Sequence, residues 1–309
     1  MGLLHGALAN RNDGIKVVGI VDPSSQSRMV AKGIGIRSPI LRSVDSAIKL
    51  NSPGIAIICT PPSSHFELAK KFLINGWGVF VEKPLTMDNN KSQSLAEIAE
   101  QNRLYNQVGF QLRFSPVFLY LRRQIEEKKR GGVGVRSIHI SILSPQFSQI
   151  EDSLLGSVRG GVAWDLLPHI VDMSFFLTEV SNYSDIAVKD VETVGWKAIA
   201  IKMLCKEVKC DLLADWGSMD VRKVETTGQI EMDDGSEYQF DSDKVWMNGL
   251  ESYVFHRRMG ENPYFEIADH EYSFQMQHIS ESFVSGESRP AADFQSGLLV
   301  DSTIENIMG

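Results

Sequence analysis

Lys83, Asp165 and His169 are the residues of this chain whose types and spacing point to chemistry. Lys83 stands in Val79-Phe80-Val81-Glu82-Lys83-Pro84-Leu85-Thr86. That stretch opens as a run of apolar β-formers, the composition of a strand buried on both faces, and then breaks into an acid, a base and a proline. Pro84 has no N–H to give a ladder, so the strand ends there. Glu82 and Lys83 are thereby set at its C-terminal end, the edge at which open α/β sheets bind ligands. A cis bond before Pro84 would fix the direction of Lys83. Asp165 and His169 lie four apart in Gly160-Gly161-Val162-Ala163-Trp164-Asp165-Leu166-Leu167-Pro168-His169-Ile170-Val171-Asp172. That spacing puts both on one face of a helix. Gly160-Gly161 permits close backbone approach ahead of it, and Pro168 implies a kink or a very early helical turn.

Oxidising a secondary alcohol needs a hydride acceptor and a base for the hydroxyl proton. His169 is suited to exchange that proton near neutral pH. Lys83 can hydrogen-bond the reacting oxygen and stabilise its charge, or share in proton relay. Asp165 would orient His169 or a substrate hydroxyl. Each residue taken singly has an ordinary structural explanation. A surface Glu-Lys pair is worth little, and a capping Asp beside a packed core His is common. It is the occurrence of all three together that favours catalysis.

The elements around them alternate. A helix over 1–10 carries Leu3, Leu4, Ala7 and Leu8 at helical spacing, with no strand before it. Strands are expected over Ile15–Val21, Gly54–Cys59, Val79–Val81 and Leu104–Phe110, and helices over 25–32, 43–50, 65–75 and 88–102. Such alternation indicates βαβ units and a doubly wound parallel sheet. From Ala187 onward the pattern changes to long alternating strands, with Asp233-Asp234-Gly235 as a hairpin turn. The expected fold is therefore α/β plus α+β, a Rossmann-like parallel sheet followed by an open-faced, mostly antiparallel sheet. The expected boundaries are 1–112 for the first domain, 113–290 for the second and 291–309 for a C-terminal helix returning to the first.

Asp22 ends the strand Ile15–Val21, where an acid can accept hydrogen bonds from both ribose hydroxyls of an adenosine. No arginine directly follows it to hold a 2′-phosphate, so NAD is expected over NADP. No G-x-G-x-x-G occurs in the chain. Gly2 reads as the third glycine of such a turn, which makes the first strand of the sheet absent. The expectation is a form truncated by roughly a dozen residues, one strand and two glycines.

Four stretches together resemble the Gfo/Idh/MocA family of NAD(P)-dependent sugar and cyclitol oxidoreductases. They are Met1-Gly2-Leu3-Leu4-His5, Cys59-Thr60-Pro61-Pro62-Ser63-Ser64-His65, Glu82-Lys83-Pro84, and the Gly160–Asp172 segment. The resemblance covers nearly the whole chain. It implies Lys83, Asp165 and His169 as catalytic residues. It implies Gly2, His5, Asp22, Thr60, Pro61, His65, Glu82, Lys83 and Gln111 at the cofactor. Substrate would meet Lys83, Arg113, Trp164, Asp165 and His169. Arg159, Tyr253 and His256 are further basic or aromatic candidates without diagnostic spacing. A sugar, nucleotide sugar, inositol or dihydrodiol substrate fits the family, and so does a homo-oligomer formed through the C-terminal sheet. The missing glycine turn keeps a second class open, a non-catalytic relative that binds a sugar or dinucleotide as sensor or subunit.

Composition narrows the partners. The 309 residues carry 31 basic and 39 acidic side chains, net −8, which gives no general attraction for nucleic acid or anionic membrane. Neither is expected as a partner, and no metal-ligand spacing occurs. Three cysteines, Cys59, Cys205 and Cys210, exclude a fully paired disulfide framework and fit a reducing cytosol.

Overall fold

A computed structural model describes residues 1–33, 38–41, 43–49, 54–145, 160–218, 221, 223–256, 270–286 and 291–309. Arg159 lies outside them. The chain divides into two units, Met1–Gln111 with Gly260–Leu298, and Leu112–Met259 with Leu299–Gly309.

The first unit runs α1 (Gly2–Arg11), β1 (Ile20–Val21), α2 (Ser25–Gly33), β2 (Ile40–Leu41), α3 (Val44–Ile48), β3 (Ile55–Ile58), α4 (His65–Leu73), β4 (Gly78–Val81), α5 (Asn89–Gln101) and β5 (Asn106–Val108). Strands β3, β4 and β5 pair in parallel in that order, with Ile57, Phe80 and Gln107 side by side. Parallel neighbours need crossovers, and α4 and α5 supply them. Asp88 caps α5 by accepting from the Lys91 N–H. The side chains of Val79, Phe80 and Val81 are all buried, as their unbroken apolar run predicts.

A core of Ala9, Phe80, Tyr105, Met276 and Ile279 gathers Leu8, Ile15, Val17, Ile55 and Ile57 around it. The alternate residues 15 and 17, and 55 and 57, follow the two-residue period of extended chain. Two expectations change here. The strand expected over Ile15–Val21 shrinks to Ile20–Val21, paired in parallel with Ile40–Leu41. Among the described residues no strand pairs with 15–19, and apolar alternation without a ladder neighbour makes a packed segment, not a strand. The parallel strands accordingly form two sheets, β1-β2 and β3-β4-β5, in place of one. Helix α9 (His270–Ser285) was expected with the second domain by its place in the sequence. It goes with the first unit, because Met276 and Ile279 bury against Phe80 and Tyr105.

The second unit holds α6 (Pro116–Arg130), β6 (Val135–Leu143), α7 (Val162–Asp165), α8 (Leu167–Thr178) and β7–β13. The last seven strands are Ile186–Val194, Ala198–Cys205, Val208–Asp215, Glu225–Met232, Glu237–Phe240, Lys244–Met247 and Leu250–Val254. The eight strands order β13-β12-β11-β10-β6-β9-β8-β7, parallel only between β6 and β9. The turn Asp233-Asp234-Gly235 joins β10 to β11, with Gly235 at φ +81. A second hairpin, β12–β13, turns on Asn248 and Gly249, at φ +51 and +79. Two consecutive left-handed residues are what a tight hairpin demands, and Asn-Gly supplies them. Alternation sets the faces. Ile138, Ile140, Ile199, Ile201 and Leu212 are buried, while Lys202, Lys209 and Asp211 are exposed. Helix α8 packs on β6, β8 and β9. Gly228 is required where β10 crosses β6, because a Cβ there would stand 2.2 Å from the His139 carbonyl oxygen. Helix α10 (Phe294–Met308) belongs to the first unit as far as Leu298 and to the second from Leu299.

Candidate active site

In the first unit the site residues gather at the C-terminal ends of β3 and β4. The chain leaves β4 at Val81, and the Lys83–Pro84 peptide is cis. Glu82 is buried, Lys83 is half-buried and Pro84 is buried again. The Glu82 N–H donates to the Ile58 carbonyl at 2.9 Å, which ties the turn to β3. The Glu82 carboxylate faces His5 of α1, with Oε1 2.5 Å from Nε2. Gly109 lies flat against Glu82, since a Cβ at 109 would stand 3.0 Å from its Oε2. His5 is 1% exposed, its ring beside Phe80 (centroids 5.1 Å apart) and edge-on to Tyr272 (5.8 Å). Burial, and the Glu82 charge after it, push the Cys59 thiol well above its ordinary range, so Cys59 is not a thiolate nucleophile.

The turn after β3 is held by its own side chains. The Ser64 hydroxyl lies 2.7 Å from Thr60 Oγ1 and 2.8 Å from the Pro61 carbonyl oxygen, turned back into the loop and away from capping α4. His65 is 1% exposed. Its Nδ1 is 2.9 Å from the Pro84 carbonyl oxygen and its Nε2 is 2.8 Å from that of Thr60. Both ring nitrogens are taken by backbone, so His65 has none left for a ligand. It bolts the β3 turn to the β4 turn, in place of the expected direct cofactor contact.

Two carbonyls favour an imidazolium, as does Glu82, but burial is the larger effect and lowers the His65 pKa below its ordinary value. A lowered folded pKa contributes stability above the unfolded histidine value, about 6.5, and loses it as pH falls towards the folded one. The urea midpoint of wild type is therefore expected to fall on acidification below about pH 6.5, and that of His65→Gln to fall less steeply. Parallel pH profiles for the two proteins would show that His65 does not titrate on unfolding.

At the start of the chain, no side chain caps α1 at Met1. The nearest heavy atom to a Cβ built at Gly2 is the Cys59 Cβ, 3.7 Å away. Asp22 ends β1, and its Oδ1 accepts the Ser24 N–H at 2.7 Å. Arg28, one turn inside α2, donates to the Asp22 carbonyl oxygen at 2.6 Å. No arginine directly follows Asp22 in the sequence, yet the fold brings one to its backbone. Gln111 lies in a 3-10 turn over Gln111–Phe114, and its buried Oε1 has no partner among the described residues.

In the second unit, Asp165 closes α7 and His169 lies in the first turn of α8. The single helix expected across both is broken at Leu166. Pro168 has no N–H for the Trp164 carbonyl, and its ring crowds that turn. The start of α7 is fixed by Gly160 and Gly161, at φ +77 and +75. A side chain at 161 would also meet the Trp196 ring at 2.8 Å. Asp165 is 5% exposed and His169 6%. The Trp216 indole N–H donates to Asp165 Oδ2 at 3.2 Å. Trp216, fully buried just past β9, has no spacing relation to Asp165 that a sequence could reveal.

Of the other expected substrate residues, Trp164 is buried beside Asp165 in α7, 8% exposed. Arg113 forms a bidentate ion pair with Asp172 of α8, Nη2 to Oδ1 at 2.6 Å and Nε to Oδ2 at 2.9 Å. Its guanidinium also lies 5.6 Å from the centre of the Phe176 ring. Arg113 is thereby committed to the interior of the second unit. The further candidates Tyr253 and His256 lie at its surface, Tyr253 stacked on Tyr120 at 4.6 Å.

Residues 1–110 match the model of the oxidoreductase family with an NAD-binding Rossmann fold. The scyllo-inositol 2-dehydrogenase (NAD(+)) of Bacillus subtilis is 36% identical over 135 residues, 42% of this chain and 39% of that protein. The inositol 2-dehydrogenase of Rhizobium meliloti is 25% identical over 179 residues, 57% of this chain and 52% of that protein. The chain thus spans about half or less of the curated relatives it matches. Among solved structures, levoglucosan dehydrogenase in complex with NADH and levoglucosan superposes with a TM-score of 0.78 at 15% identity. That match covers 99% of this chain and 91% of the other. UDP-N-acetylglucosamine 3-dehydrogenase from Acidithiobacillus ferrooxidans gives 0.72 at 17%, covering 99% and 92%. These likenesses show the fold, a Rossmann-like parallel part followed by a mostly antiparallel sheet. Among the described residues no helix is long and apolar enough to cross a membrane.

Proposed function

We propose that this chain is an NAD-dependent oxidoreductase that moves a hydride between nicotinamide and a secondary alcohol or ketone of a sugar, nucleotide sugar or cyclitol. The observation that carries the reading is Lys83, set on the tied turn at the C-terminal end of β4 within the segment that matches an NAD-binding family. Asp165 and His169 complete the set of side chains the reaction needs. The named relatives act on inositols, levoglucosan or a UDP-amino sugar, which supports the carbohydrate-like class.

The first unit has features that fit a dinucleotide. The first turn of α1 at Gly2 suits a pyrophosphate, and Asp22 suits the adenosine ribose. An acid at that place repels a 2′-phosphate, which favours NAD over NADP. Bound there, the nicotinamide would supply or accept the hydride. Lys83 would hydrogen-bond the reacting oxygen and hold its developing charge. His169 would take the hydroxyl proton, with Asp165, itself held by Trp216, orienting the histidine or the substrate. Buried as it is, Asp165 would act at a low local dielectric, where such orientation is strong. A cytoplasmic location and a homo-oligomer built through the exposed face of the eight-stranded sheet belong to the same proposal.

A panel of polyols and sugars with NAD, read at the NADH absorbance, tests the reading. Turnover with at least one cyclitol or sugar is expected. Tight NAD or sugar binding with no turnover across the panel would favour a sensor or subunit instead. His169→Asn is expected to keep hydrogen bonding but lose proton exchange. Its kcat/KM profile should lose the limb in the histidine range. An unchanged profile would move the proton to Lys83.

A further inference from the structure

We propose that His5 and His65 are a pair of positioning residues for Lys83, acting through the residues on either side of it. The proposal rests on the reading of Lys83 as catalytic. Lys83 is half-buried between two buried neighbours, and each neighbour is gripped by a buried histidine from a different helix. His5 of α1 holds the Glu82 carboxylate at 2.5 Å. His65 of α4 lies 2.9 Å from the Pro84 carbonyl oxygen, and its other nitrogen faces the Thr60 carbonyl at 2.8 Å. The Glu82 N–H is bound to β3 at 2.9 Å, and Gly109 closes the flank of Glu82. The backbone before and after Lys83 is therefore anchored at four points, from α1, β3, α4 and the residue after β5.

A catalytic lysine needs this more than most residues. Its flexible four-carbon stem leaves the amine free to wander unless its root is fixed. A misplacement of about 1 Å can cost about 10²-fold in rate. Neither histidine needs to touch a ligand to exert that effect. His65 has no ring nitrogen to offer one, and Nε2 of His5 is spent on Glu82.

His5 faces Glu82, Phe80 of β4 and Tyr272 of α9. His65 faces the carbonyls of Thr60 and Pro84 and feels the Glu82 charge, as does Cys59 after β3. Among the described residues Glu82 faces His5 and its charge reaches His65, and it adjoins Lys83 directly.

The test reads Lys83 without cofactor or turnover. Wild type and variants are treated with acetic anhydride over a range of pH, and acetylation at Lys83 is followed by mass spectrometry against the other lysines. His5→Leu and His65→Leu remove the grips. His5→Gln and His65→Gln keep an N–H donor at similar reach. The Leu variants are expected to change the relative Lys83 rate at least threefold and to lower kcat about 10–100-fold, with KM for NAD within about threefold. The Gln variants should restore most of both. Where a Leu variant fails to fold, Ala replaces it, since it carries no polar group to make either contact. Folded Leu or Ala variants with unchanged Lys83 labelling would overturn the proposal. So would a raised KM for NAD at constant kcat, the signature of direct cofactor contact. If Lys83→Ala is fully active, the catalytic reading fails, and the labelling still decides whether the histidines fix the lysine.

Discussion

Lys83→Ala is expected to slow turnover by about 10²–10⁴-fold while leaving the protein folded. The rate loss follows from the proposed role. An ammonium aimed at the reacting oxygen stabilises charge that grows only in the transition state, so removing it lowers kcat more than it raises KM. The fold should survive because the turn is held without the lysine side chain. Its anchors are the Glu82 N–H to Ile58, the His5–Glu82 contact and the His65–Pro84 contact. Lys83→Arg should not rescue, because a planar guanidinium is larger and directs its donors differently from a compact ammonium. Single-turnover hydride transfer measures the chemical step, and circular dichroism with a thermal melt checks the fold. A folded Lys83→Ala protein that keeps more than about a tenth of wild-type turnover would make Lys83 structural.

What was legible in the chain depended on whether the cause was local. The β4 turn could be read because its cause lies in eight consecutive residues, an apolar run broken by Glu82-Lys83-Pro84. The Asp233-Asp234-Gly235 hairpin was legible for the same reason. Asn248-Gly249 carried an equally strong signal, and the strands on both sides of it form, but the segment after Phe240 was not divided into strands beforehand. The strand over Ile15–Val21 shows the limit of composition. Alternating apolar residues report which side chains are buried, and Ile15 and Val17 are indeed in the core. A ladder also needs a neighbour, and composition carries no information about that.

The site divides in the same way. Asp165 and His169 stood out by spacing and by the glycines before them. Trp216, which donates to Asp165, is 51 residues away and belongs to a strand end with no motif. Asp172 was visible only as a member of its segment, and its partner Arg113 is 59 residues off. Long-range polar pairs of this kind arise from how α8 packs in the second unit, which neither periodicity nor local charge pattern encodes. The sequence marks His5 and His65 alike as cofactor candidates, whereas the fold gives His65 two backbone acceptors and His5 the Glu82 carboxylate. A histidine in a motif and a histidine in a backbone clamp look alike until the acceptors are known.

Arg113→Ala is expected to destabilise the second unit by about 3–5 kcal/mol, the usual cost of leaving one partner of a buried pair uncompensated. Arg113 was expected to meet substrate, and the ion pair with Asp172 gives it another task. The side chains are 10% and 0% exposed, so water cannot replace the lost guanidinium at the Asp172 carboxylate. Burial pushes the Asp172 pKa up, and only Arg113 opposes it. In Arg113→Ala the opposing charge is gone, so the folded carboxyl should titrate still further above its unfolded value. An acid with a raised folded pKa contributes stability that is present at low pH and lost as pH rises through that value. The deficit of Arg113→Ala should therefore shrink on acidification and deepen towards neutrality. Asp172→Asn placed on top of it should recover part of the loss at pH 7, because a neutral amide is cheaper to bury than an unpaired carboxylate. Arg113→Met with Asp172→Leu should come closer to wild type than either single change, since an apolar pair of similar volume often substitutes for a buried ion pair at little cost. Urea unfolding of wild type and these variants across pH 5–8 measures all of this. If Arg113→Ala loses less than about 1 kcal/mol and instead raises the substrate KM, the arginine serves the ligand after all, and the ion pair is incidental to the fold.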